Sequence, residues 1–417
     1  MPNKTLILLC DNYPLSAREF FIDDEMRVVA PKFDKVIVYT ASTDLGEHLT
    51  RFVPDNAEVI SFSHRELESS KLKSIFCIFK PMFIAEFFFA LKKLPVKYWM
   101  KAFNIMYVEI HRANNLKKDL FVLCEERDLS LDDCIFYSYW HDYKAMALAM
   151  MRKENPNLKC IARAHRWDVF ADKNIIPYLP FKKFMLYNLS VSFSISKAGK
   201  DYFEMYIDRK LNKEVTISRL GKFNKYEPVC KKDSDGIIIC SCSNINPMKR
   251  VHLIVEILSK MHTPNVKWIH FGDGYEESKK IIYQAIQSQY PTLIYEFKGM
   301  VSNEKILEYY SQNYVDLFIN VSDNEGIPVS IMEAMSAGIP VVATDVGGTS
   351  EIVNDSNGFL IDVDFDSNEV AKIIDDYLSL SITKQEKYRA NAYNTWKNNY
   401  DAEVNYNNFA EIILNLK

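Results

Sequence analysis

The chain has 417 residues, which is more than one hydrophobic core usually organises, so two domains are expected. Its composition, 48% hydrophobic and 25% charged residues, is that of a soluble globular protein. The formal net charge of −4 argues against nucleic acid as a partner, because phosphate binding usually needs a basic domain.

Eight cysteines are scattered along the chain without a Cys-x-x-Cys pair, and most lie in apolar, strand-like runs. This usage is typical of buried free thiols in a reducing cytosol. The first apolar run is too short for a signal peptide, and no window has the roughly 20 apolar residues of a membrane span. We therefore expect a cytoplasmic protein.

Strand-like apolar runs recur along the chain, and longer stretches of helical character separate them. The runs are 6–9, 36–39, 135–139, 160–163, 191–195, 237–242, 268–271, 295–298, 317–321 and 341–344. This alternation predicts an α/β protein with parallel sheets. A polar, turn-rich segment at 220–236 is the best domain boundary, and it leaves two Rossmann-like halves.

A basic, aromatic stretch lies at residues 71–118, where ten Lys or Arg residues accompany only two acids, Glu86 and Glu109. Such a surface could rest on an anionic membrane as a peripheral contact. A solvated basic face over buried aromatic residues explains the same pattern, and the sequence does not decide between the two.

The segment 161–168 places four polar side chains just past a buried strand: Arg163, His165, Arg166 and Asp168. In open α/β sheets the carboxyl ends of the strands border the ligand crevice. A lone histidine is more often a structural residue, so His165 is a candidate only in that setting.

The second half opens with a strand and a small-polar turn that runs from Ser243 to two cations, Lys249 and Arg250. A cation held near a helix start can neutralise charge on a departing diphosphate.

A later segment joins two carboxylates, Glu325 and Glu333, to a helix start. The apolar run 315–321 leads into a turn with Gly326. Pro328 suits the first helical position, and Gly338 suits the position after the helix end. A helix start attracts phosphate, whereas an ionised glutamate accepts two O–H bonds from a diol. A nucleotide-sugar carries all of these groups.

The Glu-x7-Glu pattern within EGIPVSIMEAMSAGIPVVATDVGGTSEIV, followed by NGFLI, resembles the donor-site signature of glycosyltransferase family 4. Members of that family are retaining enzymes of the GT-B fold, in which two Rossmann-like domains face a central cleft. The resemblance implies an acceptor-binding domain at 1–222, a donor-binding domain at 235–395, and a C-terminal helix at 396–417 that crosses back to the first domain.

The resemblance also implies roles for individual residues. Glu333 would bind the ribose diol, Glu325 and His165 would face the transferred sugar, and Ser243, Lys249 and Arg250 would bind the leaving group. The backbone of Gly326, Ile327 and Val329 would hold the diphosphate, Gly272 would form a tight turn, and the backbone near Met300 would border the base.

The loop after the first strand departs from the family because it has no glycine. Ser16 and Arg18 are candidates to replace the missing backbone contacts, and Arg163, Arg166 and Asp168 are further candidates for acceptor binding.

These features predict a retaining glycosyltransferase that moves a hexose from a UDP- or GDP-linked sugar to a hydroxyl of a sugar or lipid-linked acceptor. Bacterial cell-surface polysaccharide or glycoconjugate synthesis is the expected setting. We expect no cofactor and no metal, and we interpret the acidic residues 362–366 as a loop. An epimerase or hydrolase on the same fold, or a catalytically silent GT-B subunit, are the alternatives.

Overall fold

The structure is a computed structural model that describes residues 4–15, 19, 21–42, 51–62, 78–171, 174, 176–208, 213–232 and 236–416. Contacts between residues divide the chain into two compact units. The first unit comprises Met1–Leu220 and Ala402–Lys417, and the second comprises Gly221–Asp401.

The first unit is a parallel sheet flanked by helices. Its strands are β1 (Thr5–Cys10), β2 (Lys35–Thr40), β3 (Ala57–Ser61), β4 (Cys134–Ser138), β5 (Lys159–Ala164), β6 (Val191–Ser194) and β7 (Val215–Ile217). Before Leu220, its α-helices are α1 (Phe21–Val29), α2 (Pro81–Lys93), α3 (Trp99–Glu126), α4 (Tyr143–Glu154), α5 (Lys182–Asn188) and α6 (Lys197–Glu204). The strand order is β3-β2-β1-β4-β5-β6-β7.

The second unit has the same plan. Its strands are β8 (Ile237–Cys242), β9 (Val266–Phe271), β10 (Ile294–Phe297), β11 (Leu317–Asn320), β12 (Val341–Thr344) and β13 (Gly358–Ile361). Its helices are α7 (His252–Lys260), α8 (Glu276–Gln289), α9 (Asn303–Gln312), α10 (Val329–Ser336), α11 (Ser367–Leu378) and α12 (Ile382–Asn399). The strand order is β10-β9-β8-β11-β12-β13, again all parallel.

The α/β architecture with parallel sheets is therefore confirmed, and each of the ten predicted strands is present. The structure adds β3, β7 and β13, which all lie at sheet edges. Central strands such as β1 are buried along their whole length and so give continuous apolar runs. Every residue of β3 is only partly buried, and its mixed sequence gives no such run.

The C-terminal segment is two helices, because the chain breaks at Tyr400 and Asp401 between α12 and α13 (Ala402–Leu414). Residues 396–401 belong to the second unit, whereas the sequence grouped 396–417 together. Trp396 explains the difference, since its indole N–H donates to the carbonyl of Lys222 at 3.1 Å. Helix α13 packs against α1 in the first unit.

Candidate functional site

The loop between β11 and α10 presents Glu325. Its carboxylate accepts hydrogen bonds from the ammonium of Lys249 at 2.5 Å and from the amide of Asn320 at 3.4 Å. Asn320 also accepts from the backbone N–H of Ser322 at 3.0 Å, which fixes the start of the loop. The structure thus brings two of the sequence-predicted residues, Lys249 and Glu325, into direct contact.

Helix α10 begins one residue later than predicted, at Val329, and Pro328 is its N-cap. Pro328 has an extended ψ of 116° and cannot donate a hydrogen bond. Within the described residues, the backbone N–H groups of Ile327, Val329 and Ser330 have no acceptor. Unpaired N–H groups at a helix start are suited to an anionic ligand.

Glu333 lies inside α10 and is almost completely buried. Its carboxylate accepts a hydrogen bond from the side-chain amide of Asn303, and the ammonium of Lys222 lies 3.5 Å from the same oxygen. Neither partner was predicted from the sequence. Lys222 follows the glycine of the boundary turn, and Asn303 is the first residue of α9, so neither stands out from its neighbours.

The glycine pair after β12 is a further feature that the sequence analysis missed. Gly347 has a φ of +60°, and a Cβ atom built on it would lie 1.8 Å from the carbonyl oxygen of Glu325. Gly348 donates its N–H to the carbonyl of Gly326 at 2.6 Å. The loop that carries Glu325 therefore rests on glycine backbone, and a side chain at residue 347 would displace it.

The turn after β8 packs against the turn after β9. Gly272 has a φ of +129°, and a Cβ there would lie 2.0 Å from the carbonyl oxygen of Ser243. That carbonyl accepts from His270 Nε2 at 3.2 Å, while His270 Nδ1 is 2.8 Å from the hydroxyl of Ser241. Burial lowers the pKa of His270 to about 4, so the ring is a neutral spacer between the two turns at pH 7.

These turns border a cavity of about 170 Å³ that includes Gly272, Gly299 and Phe297 in its wall. Met300 follows directly and its side chain is 68% exposed. Gly272 N–H donates to the carbonyl of Gly299 at 2.9 Å, which joins the two glycine turns in the cavity wall.

Arg250 differs from its predicted role as a leaving-group ligand. Its guanidinium donates to the carbonyls of Val321 and Val363, both at 2.8 Å, and lies 3.5 Å from that of Ser322. These bonds hold the loop after β11 in place. A guanidinium can make them together because it has five N–H donors. Lys249 remains as the cation beside Glu325.

The acidic residues 362–366 have structural roles. Asp362 accepts from the N–H of Asp364, and Asp366 caps α11 by accepting from the N–H of Asn368, both at 2.8 Å. Among the described residues, no group of three or more His, Cys, Asp or Glu side chains is arranged to hold a metal ion.

In the first unit, His165 is buried at the end of β5, where it stacks on Tyr139 and packs at an angle against Trp140, with ring centroids 4.7 and 4.6 Å away. Within the described residues, neither ring nitrogen has a hydrogen-bond partner. Asp168 accepts from the backbone N–H groups of His141 and His165, both at 2.8 Å. Asp168 is fully buried, and these two bonds fix the loop that carries His165.

Arg163 is also structural, which corrects its predicted acceptor role. It is fully buried, donates to Glu25 at 2.6 Å, and lies 4.3 Å from the ring centroid of Phe409 in α13. Arg166 is partly buried, whereas Ser16 and Arg18 lie outside the described residues.

The loop after β1 binds a carboxylate of the protein itself. Glu19 is buried and accepts from the backbone N–H groups of Asn12 and Tyr13 at 2.6 and 2.7 Å, and from the indole of Trp140 at 2.6 Å. These N–H groups are thus already paired with an anion, and an acceptor phosphate would have to displace Glu19.

A cavity of about 680 Å³ lies at the carboxyl ends of β1, β2, β4 and β5 in the first unit. Its wall includes the carboxylates Asp11, Glu109 and Asp142, the cations Arg112 and Lys182, and the aromatic rings of Tyr143, Trp167 and Tyr178. Burial and the nearby charge of Asp142 raise the pKa of Glu109 to about 7, and burial lowers the pKa of Lys182 to about 8. Mixed carboxylates and aromatic rings suit a neutral polar ligand with hydroxyl groups.

Residues 222–395 match a family model, that of the glycosyl transferases group 1. The matched part lies within the second unit and contains Lys249, Glu325 and Glu333. The O-antigen biosynthesis glycosyltransferase WbnH of Escherichia coli is 26% identical over 225 residues, which cover 53% of this chain and 62% of the relative. The chain thus spans less than two thirds of that relative's length.

Solved structures resemble the whole chain. Sucrose-phosphate synthase from Thermosynechococcus elongatus has a TM-score of 0.72 at 14% identity, with 99% of each chain covered. HepE from Anabaena, solved in complex with UDP, has a TM-score of 0.67 at 18% identity, with 99% of this chain and 100% of that chain covered. These likenesses show that the protein has the GT-B fold, with two Rossmann-like domains.

Proposed function

We propose that the protein is a retaining glycosyltransferase that transfers a hexose from a nucleoside-diphosphate sugar to a hydroxyl acceptor in cell-surface polysaccharide synthesis. The observation that carries this proposal is the arrangement at the start of α10. There a Glu325–Lys249 ion pair, unpaired backbone N–H groups and the buried Glu333 lie within the part that matches the glycosyl transferases group 1.

Each group has a distinct task in this proposal. Glu333 binds the ribose diol, and the N–H groups of Ile327 and Val329 bind the diphosphate. Lys249 has three donors, so it can keep one bond to Glu325 and give another to a diphosphate oxygen. Its charge then stabilises the negative charge that develops as the diphosphate departs.

The carboxylate of Glu325, which would face the sugar, is paired with Lys249, and the proposal assigns no covalent nucleophile. Retention is then proposed to follow from attack on the face from which the diphosphate leaves, with a diphosphate oxygen accepting the proton of the acceptor hydroxyl. The protein contributes position and charge. The leaving group and Lys249 supply this chemistry without a metal or another cofactor.

We further propose that the cavity of the first unit receives the acceptor, which is a sugar or a lipid-linked saccharide. The carboxylates of Asp11 and Asp142 can accept sugar hydroxyls, and Trp167 offers an apolar ring to the sugar face. His165, whose ring nitrogens have no hydrogen bond within the described residues and whose Nδ1 lies 3.9 Å from Asp168, keeps the sugar-contact role that the resemblance implies.

Calorimetry with UDP, GDP and ADP tests the donor assignment, and UDP-linked donors are favoured because HepE binds UDP. We expect one nucleoside diphosphate to bind to the wild type and to bind at least tenfold more weakly to Lys249→Gln. Proton NMR of the product would then give the anomeric configuration. Absence of binding by all three diphosphates would reject the donor site, and an inverted product would reject retention.

A further inference from the structure

Helix α2 has an exposed face that is apolar. Ile84 and Phe88, four residues apart on one stripe, are 43% and 57% exposed. The opposite face is buried through Phe83, Glu86 and Ala90. A helix on the surface of a protein in water normally exposes its polar residues, so this stripe requires a different environment or a partner.

The turn from α2 into α3 continues this surface. Val96 is 70% exposed, Met100 is 80% exposed and Trp99 is 36% exposed. The indole N–H of Trp99 donates to the carbonyl of Leu94 at 3.0 Å, which holds the ring at the turn. Exposed apolar side chains are ordinary when they are scattered, but here they recur within seventeen residues, from 84 to 100.

Lysines share this surface. We define the hairpin patch as Ile84, Phe88, Lys92, Lys93, Val96, Lys97, Trp99, Met100 and Lys101. Within the described part of the chain, none of its four lysines has an ion-pair partner. The acid nearest in sequence, Glu86, is buried and accepts from the hydroxyl of Tyr178 at 2.8 Å. The patch is therefore strongly cationic in a chain whose net charge is −4.

The combination of lysines and apolar side chains identifies the kind of partner. Lysine is depleted at the centres of protein–protein interfaces, because its desolvation is costly. At a bilayer surface, by contrast, apolar side chains enter the acyl boundary while the lysine ammonium groups stay among anionic headgroups. We propose that the hairpin patch docks the first unit on an anionic lipid bilayer.

Helix α3 connects this patch with the cavity of the first unit. Ile105, Glu109 and Arg112 line the cavity, and Glu109 follows Met100 by about 14 Å along the helix axis. If the proposed function holds, an acceptor anchored in the bilayer can place its polar head in the cavity. The acceptor is then a lipid-linked saccharide. No helix among the described residues could cross the bilayer, so this contact would be peripheral.

Cosedimentation with vesicles tests the docking. Vesicles of phosphatidylcholine with about 30% phosphatidylglycerol should bind the wild type at low salt, and about 0.5 M salt should release it. Lys92→Gln, Lys93→Gln, Lys97→Gln and Lys101→Gln together should lower the partition coefficient roughly a thousandfold at low salt, because each lysine contributes about 1 kcal/mol of attraction. Val96→Ser with Met100→Ser should lower it at least tenfold without a loss of charge.

The matched control carries the same charge change elsewhere: Lys280→Gln, Lys372→Gln, Lys384→Gln and Lys387→Gln, all at exposed positions of the second unit. This variant should bind vesicles within a factor of three of the wild type. Equal losses in both quadruple variants would mean that net charge alone drives binding and would overturn the proposal. So would a wild type that ignores the anionic vesicles at low salt.

Trp99 gives a direct readout of contact. Its emission, taken as the difference between wild type and Trp99→Phe, should shift to the blue with anionic vesicles and stay unchanged with pure phosphatidylcholine. Nucleoside diphosphate affinity is measured separately without vesicles. Docking without nucleotide binding would leave this inference standing and reject the donor site, and the reverse result would reject docking alone.

Discussion

At the scale of single residues, Glu333 is the carboxylate on which nucleotide affinity should depend most. We predict that Glu333→Ala weakens nucleoside diphosphate binding by about 1.5–3 kcal/mol, which is the usual worth of hydrogen bonds to a charged group. The physical reason is that the ribose diol would lose a buried acceptor that Asn303 and Lys222 hold in place. Isothermal titration calorimetry measures the change.

Two variants control for this prediction. Glu333→Gln keeps the size and one acceptor oxygen, so it should recover part of the affinity. Glu304 lies next to Asn303 on α9, and its exposed carboxylate is paired with Lys225. Glu304→Ala should therefore keep the nucleoside diphosphate affinity of the wild type. Unchanged affinity in a folded Glu333→Ala protein would remove Glu333 from the donor site.

Asp168 should make stability depend on pH in the acid range. Burial raises the pKa of this carboxyl, but the imidazole of His165, which lies 3.9 Å away, the charge of Lys182 and the backbone N–H of His141 outweigh burial and lower the pKa to about 2. Because the folded pKa lies below the unfolded value of 3.8, the stabilisation is present above about pH 4 and is lost as the pH falls towards 2.

The stabilisation amounts to about 2 kcal/mol at neutral pH. Urea unfolding at pH 7 and near pH 3 should show that Asp168→Asn destabilises the first unit strongly at neutral pH and less in acid. An equal loss at both pH values would show that the aspartate acts through packing and not through its charge.

At the scale of elements, the loop before α10 packs directly against the backbone of Gly347, which has no side chain to push the loop away. We predict that Gly347→Ala destabilises the second unit by more than about 3 kcal/mol, because its Cβ would force the Glu325 carbonyl to move. Nucleoside diphosphate binding should weaken as well, since the same loop carries the N–H group of Ile327 that is proposed to bind the diphosphate. Urea unfolding and calorimetry measure the two effects.

Gly299 offers a matched control for backbone strain. Its φ of +65° is close to the +60° of Gly347, yet a Cβ there would meet nothing within 4 Å. Gly299→Ala should cost only the roughly 1–2 kcal/mol of a left-handed alanine. If the two variants lost the same stability, the close packing of Gly347 on the Glu325 loop would not matter.

At the scale of the whole molecule, the two units contribute differently to the proposed reaction. The second unit supplies a cation and a helix start for the diphosphate, which is the charge that a divalent ion would otherwise bring. We therefore predict that a chelator leaves sugar transfer unchanged and that added manganese does not increase the rate. Transfer that is abolished by the chelator and restored by manganese would contradict this assignment.

The sequence by itself determined the architecture, and it named Glu325, Lys249 and Glu333 as candidates for the donor site. Buried parallel strands are continuous apolar runs, so ten strands and the α/β class followed from local composition. The resemblance assigned both Glu325 and Lys249 to the donor site, and the structure shows their contact, because the turns after the neighbouring strands β8 and β11 lie at the same edge of a parallel sheet. Glu333 could be proposed from sequence because the Glu-x7-Glu spacing that resembles the family signature is local.

The tertiary structure alone decided how charges far apart in sequence are paired. Arg163 and Arg250 are of a residue type that often binds ligands. In the structure, however, Arg163 donates to Glu25, and Arg250 donates to the carbonyls of Val321 and Val363. Lys222 and Asn303 contact Glu333 although they are 111 and 30 residues away in sequence. Glu19 accepts the backbone N–H groups of the loop after β1. A charged side chain looks the same in sequence whether it is free or paired, because its partner is set by the packing of distant elements and the cost of burying an unpaired charge.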